Sequence, residues 1–290
     1  MSIKNVSFIG LGVMGYPMAG HLQKNGYNVT VYNRTETKAQ KWIDEHKGQM
    51  SKTPADACKN SEIIFMCVGR DEDIVEVMEG ENGILSSVKE NSIIVDHTTA
   101  SAEIARKYSE KLKNMKIGFL DAPISGGQAG AENGLLSIMI GGELKFYEIV
   151  KPILQSYGKA IELIGPSGSG QIAKMVNQIC IAGLVQGLSE AMAFGKKANV
   201  DMEKVLSVIS KGAAQSWQME NRYRTMLDGK FDYGFAVDWM RKDLSICFSE
   251  AKKNGASLPI TEIVDRYYAE VQKNGGNRLD TSSLMTLVDK

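Results

Sequence analysis

Val6-Ser7-Phe8-Ile9 runs directly into Gly10-Leu11-Gly12-Val13-Met14-Gly15. The apolar tetrapeptide reads as a buried strand, and the glycines follow it at G-x-G-x-x-G spacing. Each glycine has its own steric task in such a turn. Gly10 permits the sharp bend off the strand, and Gly12 lets backbone N–H groups approach a pyrophosphate. Gly15 lets the following helix pack tightly on the sheet with its N-terminus facing the phosphates. The spacing alone matches many ordinary turns. Here a second strand candidate, Asn28-Val29-Thr30-Val31-Tyr32, follows at βαβ distance, and that context makes the motif a dinucleotide-binding expectation. Gly10, Leu11, Gly12, Val13, Met14 and Gly15 are therefore expected at the cofactor.

The residues after this second strand bear on which nicotinamide cofactor is bound. Chains that bind NAD usually place Asp or Glu there to hold the ribose 2′-hydroxyl, and that carboxylate would repel a 2′-phosphate. This chain has Asn33, Arg34 and Thr35 instead, with Lys38 one turn further on. A guanidinium suits a phosphate, so the reading leans to NADP. NAD stays open as the alternative, with Arg34 a solvated loop residue.

Lys plus Arg and Asp plus Glu both number 34, so nothing in the charge balance points to nucleic acid or an anionic membrane as partner. Cys58, Cys67, Cys180 and Cys247 are widely spaced, mostly within apolar runs, with no C-x-x-C and no His at ligand spacing. They read as reduced core residues of a cytoplasmic protein, and no metal site is expected. No apolar stretch has the length of a signal segment or a membrane span, so a soluble protein is expected.

In the first half, short apolar runs alternate with helical patterns: Glu62 to Val68, Ser92 to Asp96, and Ile117 to Asp121. Such runs suit parallel strands covered by helices on both faces. Leu136 to Ile140 and Ala160 to Ile164 extend the same sheet, and Gly165-Pro166 closes the region. Beyond it no proline occurs until Pro259 and the strand pattern stops. A long helix from about Gly170 to Ala198 is expected, with Gly183 and Gly187 allowing close helix contacts. Asp201 and Asp280 are candidate helix caps, and Pro259 suits a first helical turn. The expected organisation is α/β: a doubly wound parallel sheet of the Rossmann type over 1-165, then an all-helical domain over 166-290, with the long helix as hinge.

A substrate site is expected at the domain junction, beside the carboxyl ends of the strands. The long helix begins there, and its first turns carry Gln171, Lys174, Asn177 and Gln178 on one face of an otherwise apolar segment. Most helical lysines are simply solvated, but buried amides need partners and a buried ammonium is costly, so this stripe stands out. Oxidising an alcohol with a nicotinamide requires a base for the hydroxyl proton. Desolvation would lower the Lys174 pKa towards neutrality and fit it for that work. His21 and His46 lie in helical patterns, while His97, near a strand end, reads as a packing residue. Ser125 with the N–H groups of Gly126 and Gly127 is a candidate carboxylate cradle, and Thr98 or Thr99 can reach the nicotinamide ribose or the substrate.

Taken together, these residues resemble the β-hydroxyacid dehydrogenase family, which includes 3-hydroxyisobutyrate dehydrogenase and tartronate semialdehyde reductase. The resemblance covers the whole chain in four ordered motifs: Gly10 to Ala19, Asp121 to Gly127, Gly168 to Lys174, and Met240-Arg241-Lys242-Asp243-Leu244. It implies a Rossmann domain followed by a helical 6-phosphogluconate-dehydrogenase-like domain, in homodimers or homotetramers. Lys174 matches the family's catalytic lysine, and Ser125, Gly126 and Gly127 match its carboxylate loop. The resemblance also places Thr99 and the Cys67-Val68 loop near the nicotinamide, makes Lys242 a lysine that closes on the cofactor, and puts Phe235 and Asp243 in the cleft lining. Two departures stand out: Gln178, preceded by Asn177, replaces the usual Asn four residues after the lysine, and Cys67-Val68 replaces a common Leu-Pro.

The implied activity is reversible hydride transfer between NADP(H), or NAD(H), and a small 3-hydroxy acid or its semialdehyde, with Asn177 or Gln178 orienting the substrate. The alternatives are a reductase of tartronate, glyoxylate or succinic semialdehyde, an imine reductase of the same fold, and a catalytically silent NADP-binding module. Relatives of the imine type usually lack the lysine, which counts against that rival. An arginine from the Trp217 and Asn221-Arg222-Tyr223-Arg224 region could select a second carboxylate, against the plainer reading of a solvated helix face.

Overall fold

The computed structural model describes residues 3–289, and the chain divides into two units at the Lys174/Met175 bond. In the first unit six strands run parallel: β1 (Asn5–Ile9), β2 (Asn28–Tyr32), β3 (Gln49–Met50), β4 (Ile63–Met66), β5 (Ile93–Asp96) and β6 (Gly118–Asp121). Their spatial order is β3-β2-β1-β4-β5-β6, which reverses direction at β1, as in a Rossmann fold. β4, β5 and β6 are buried along their whole length, which explains why their sequences are continuously apolar rather than alternating. Two core layers flank the sheet. One contains Phe8, Val31, Phe65, Val95 and Leu120, and the other Ile9, Ile64, Met66, Ile94 and Phe119.

The expectation of a wholly parallel sheet needs one correction. After β6 the chain continues through Ala122-Pro123 into β7 (Ile124–Ser125), turns through a short helix (Gly127–Glu132), and returns along the same arm as β8 (Leu136–Gly142). β8 is therefore antiparallel to both β6 and β7, and β9 (Gly158–Gly165) pairs parallel to β8. Pro123 separates β6 from β7 because it has no N–H to donate to a ladder. β3 was invisible in the sequence because two residues carry no periodicity.

The helix Ser169–Lys197 is continuous across the division between units. Its portion from Met175 onward and the helices Met202–Ile209, Trp217–Leu227, Val237–Asn254 and Pro259–Lys273 make up most of the second unit. Asp201 caps its helix through the Lys204 N–H, Pro259 occupies a first turn, and Asp280 caps a final 3-10 turn through the Ser282 N–H. One apolar cluster gathers Val185, Val237, Met240, Leu244, Val264 and Tyr268, and a second gathers Leu188, Met192, Leu206, Met219 and Met226. Two smaller expectations are corrected. Gly183 and Gly187 face open space, so they mediate no close helix contact within this chain. Cys180 is exposed rather than a core residue, because it falls on the outward face of the long helix, whereas Cys58 and Cys247 are buried and Cys67 is half-buried.

Close backbone packing dictates two of the motif glycines. A Cβ on Gly15 would collide with the Gly10 carbonyl oxygen and lie 2.9 Å from the Phe8 ring, while Gly10, at φ +98°, abuts the Cys67 carbonyl. Gly15→Ala is expected to lower folding stability by about 1–3 kcal/mol or more, because backbone cannot retreat as a side chain can. Urea denaturation of the variant against wild type measures this.

Candidate active site

Strand register brings the functional loops together. Ile9 pairs with Tyr32 and Met66, Met66 with Asp96, and Asp96 with Asp121, so five carboxyl ends are level. The ladder continues one step further: Gly10 donates to Tyr32 O, Cys67 to Ile9 O, His97 to Met66 O and Ala122 to Asp96 O, each at 2.7–2.9 Å. The residues that emerge from the sheet at this edge are those expected at the cofactor and substrate.

The glycine turn fits a dinucleotide. A Cβ on Gly12 would meet nothing within 4 Å, so no protein atom accounts for a glycine there, and the open space lies beside the N-terminus of the helix Gly15–Lys24. Leu11 is buried while Val13 is exposed. Asn33 is committed to the fold: its Oδ1 accepts from Leu11 N at 2.9 Å and its Nδ2 donates to Thr35 O at 3.0 Å. It shapes the loop after β2, and Thr35 begins the next helix. Arg34 is 89% exposed, with Nη1 3.8 Å from the Asp73 carboxylate. Val68 N donates to Thr98 Oγ1 at 3.0 Å, which ties the loops after β4 and β5 together, and Thr99 is half-buried beside them.

Lys174 is 8% exposed, and its Nζ donates to Ile124 O at 2.8 Å, immediately before Ser125. Gly126 and Gly127 follow at φ +138° and +62°. The lysine stands on the second turn of a helix whose start is held by Asp121. The buried Asp121 carboxylate accepts from Gly168 N at 2.7 Å through Oδ1 and from Gln171 N at 3.0 Å through Oδ2. Burial raises its pKa, against the lowering effect of these amides. Gln171 forms a second tie, donating to Thr98 O at 2.7 Å and accepting from Ala100 N at 3.0 Å. The sequence reading placed Gln171 in the polar stripe but missed Asp121 as an anchor. The glycines that make room for its carboxylate, Gly141 and Gly170, were the available signal.

In the helical unit Gln178 is buried and bonded at both ends of its amide. Its Nε2 donates to Asp243 Oδ2 at 2.6 Å, and its Oε1 accepts from Asn177 Nδ2 at 2.8 Å. Lys242 Nζ lies 2.9 Å from the other Asp243 oxygen. The extra methylene of Gln over Asn lets residue 178 reach this carboxylate. Phe235 is half-buried, with its N–H on Asp280 Oδ2 at 2.9 Å. Arg222 stacks between Trp217 and Tyr233 at 4.8 and 5.0 Å and sits 3.4 Å from buried Asp280. It is a packed structural cation, neither solvated nor free for a second carboxylate.

The comparisons with known proteins bear on the chain as a whole. Residues 5–165 match the family model described as the NAD binding domain of 6-phosphogluconate dehydrogenase. Residues 168–288 match that described as NAD-binding of NADP-dependent 3-hydroxyisobutyrate dehydrogenase. The chain belongs to the NAD(P)-dependent 3-hydroxyacid dehydrogenases. An uncharacterized oxidoreductase of Shewanella frigidimarina is 56% identical, covering 98% of both chains. The 2-hydroxy-3-oxopropionate reductase of Escherichia coli is 34% identical over 98% of this chain and 97% of its own. The fold matches that of the Mycobacterium tuberculosis 3-hydroxyisobutyrate dehydrogenase solved with L-serine, with a TM-score of 0.88, 22% identity, and coverage of 99% and 100%. This dehydrogenase is thus an oxidoreductase that uses a nicotinamide dinucleotide, and among the described residues no helix is long and apolar enough to cross a membrane.

Next to Asp121 the dehydrogenase buries a second carboxylate, Asp96, which accepts from Thr98 N at 2.8 Å. Burial pushes the Asp96 pKa up to about 7, and the Asp121 and Asp71 carboxylates add to the rise against the Thr98 hydrogen bonds. Below about pH 4 folded and unfolded chains both hold this proton. From there to about pH 7 the unfolded chain releases it first, so this group's contribution to stability falls as pH rises. Asp96→Asn keeps an oxygen acceptor for Thr98 and removes the titration. Urea midpoints across that window are expected to fall less with rising pH in the variant than in wild type.

Proposed function

We propose that this enzyme interconverts a small 3-hydroxy acid and its semialdehyde, with a preference for NADP(H). The observation that carries the reading is the buried Lys174 Nζ on Ile124 O, immediately before the Ser125-Gly126-Gly127 loop. This contact supports pairing Lys174 as proton carrier with the Ser125 loop as carboxylate cradle. When bound, the nicotinamide accepts or donates the hydride. Ser125 and the glycine N–H groups hold the substrate carboxylate, so that the hydroxyl on the β-carbon is presented to Lys174. Lys174 takes the hydroxyl proton in oxidation and returns it in reduction. Its bond to a backbone carbonyl, which accepts but cannot give up a proton, keeps Nζ in place without competing for that role.

On the cofactor side, Gly10, Gly12 and Gly15 support the pyrophosphate, with Val13 and Met14 on the same turn, and Cys67, Val68 and Thr99 face the nicotinamide end. In the helical unit, we assign Asn177, Gln178, Phe235 and Asp243 to the substrate and Lys242 to the cofactor, on the strength of the resemblance. The Arg34 guanidinium supports the NADP preference, because it is exposed and only loosely paired with Asp73. Cys58, Cys67, Cys180 and Cys247 form no disulfide, which fits a reducing, cytoplasmic setting.

Initial rates with 3-hydroxyisobutyrate, serine, 3-hydroxypropionate, glycerate and the matching semialdehydes, each with NAD and NADP, test the reading. Lys174→Ala is expected to lower kcat by about a thousandfold with little change in cofactor Kd, and near-normal turnover in that variant would refute the role. In the same assay Arg34→Ala is expected to raise KM for NADP by about tenfold while leaving KM for NAD within about twofold.

A further inference from the structure

His97 is a buried titratable group for which the proposed reaction has no use. It follows β5, is 1% exposed, and lies parallel to the Phe65 ring at a centroid separation of 5.9 Å. Both ring nitrogens are engaged: Nδ1 lies 2.6 Å from Ala122 O, and Nε2 lies 2.9 Å from the Tyr157 hydroxyl. A carbonyl oxygen only accepts, so Nδ1 carries the proton, Nε2 is the acceptor, and the Tyr157 O–H donates to it. Burial pushes the His97 pKa down to about 4, so the ring stays neutral and this tautomer is fixed through the working pH range.

The location of Ala122 gives this contact its consequence. Ala122 N still donates to Asp96 O at 2.7 Å, but one residue later the chain leaves the parallel sheet at Pro123. The Ala122 carbonyl is thereby left at the sheet edge, where an unpaired buried acceptor is costly. Three successive carbonyls then have assigned donors: Ala122 O receives His97 Nδ1, Pro123 O receives Met139 N at 3.1 Å, and Ile124 O receives Lys174 Nζ at 2.8 Å. We infer that His97 is a positioning residue whose Nδ1–H fixes the peptide that presents Ile124 O to Lys174 and Ser125 to the substrate. The inference rests on Lys174 being the proton carrier. It assigns His97 no proton transfer of its own.

Two near-isosteric replacements separate this role from packing. The shorter amide side chain of His97→Asn can place a donor near the Nδ1 position, whereas the longer one of His97→Gln places it near Nε2, and both lose the same stacked ring. We expect both variants to lose thermal stability to a similar degree. Only His97→Gln should lose about tenfold or more in kcat, with His97→Asn staying within about threefold of wild type. Amide hydrogen exchange over residues 122–127 should rise in the Gln variant and stay near wild type in the Asn variant. Equal kcat and equal exchange in the two variants would overturn the inference. Exchange does not depend on turnover: a wild-type enzyme inactive on every hydroxy acid sinks the reaction reading, while the exchange result still decides the contact. Should both variants fail to fold, the histidine ring nitrogen NMR spectrum of wild type decides it. A proton held on Nδ1 from about pH 5 to about pH 9 supports the inference, and an Nε2–H tautomer or a titration in that interval overturns it.

Discussion

The buried Asp121 carboxylate is the interaction on which the site geometry depends. It ends β6 and accepts from Gly168 N, just before the helix Ser169–Lys197, and from Gln171 N in its first turn, so one side chain joins the sheet to the helix that carries Lys174. A helix start buried against a sheet has N–H groups with no partner of their own, and an anion there satisfies them and complements the helix dipole. Gly141 and Gly170 are glycines because a Cβ on either would run into Asp121. Gln171 adds the loop after β5 to the same junction. The position of Lys174 is thus set by the fold before any substrate arrives.

A second theme is how many polar groups of binding type are engaged within the protein. Asn33 shapes its loop by bonding Leu11 and Thr35, Gln178 spans Asn177 and Asp243, and Arg222 is held by two aromatic rings near Asp280. The sequence reading assigned Asn33 to the cofactor and Gln178 to the substrate and took Arg222 first as part of a solvated helix face, because type and neighbourhood are all that it sees. Burial makes the difference. A polar side chain removed from water needs a partner within the fold, and the partner is usually distant in sequence.

Much of the fold was legible beforehand. The β-strand before Gly10, the βαβ spacing, the apolar runs of β4 to β6 and the long helix were all readable, because periodicity and glycine placement are local properties. The two-residue β3 was not readable, and neither was the reversal of β8, since antiparallel and parallel strands have the same local pattern when both faces are covered. The exposure of Cys180 was missed for a similar reason: an apolar helix surrounded by apolar residues does not announce which of its faces is outward.

The sequence by itself determined the Rossmann turn, the switch to helices after Pro166, and the candidate lysine with its amide neighbours, because each rests on residues close together in the chain. Only the tertiary structure decided that Lys174 is held on Ile124 O, that Asp121 anchors its helix, and that His97 supports the Ala122 peptide. These are hydrogen bonds between residues 25 to 50 positions apart, created by strand ends brought level in one sheet. Such pairings follow from the global register of the strands, which no local stretch of sequence encodes.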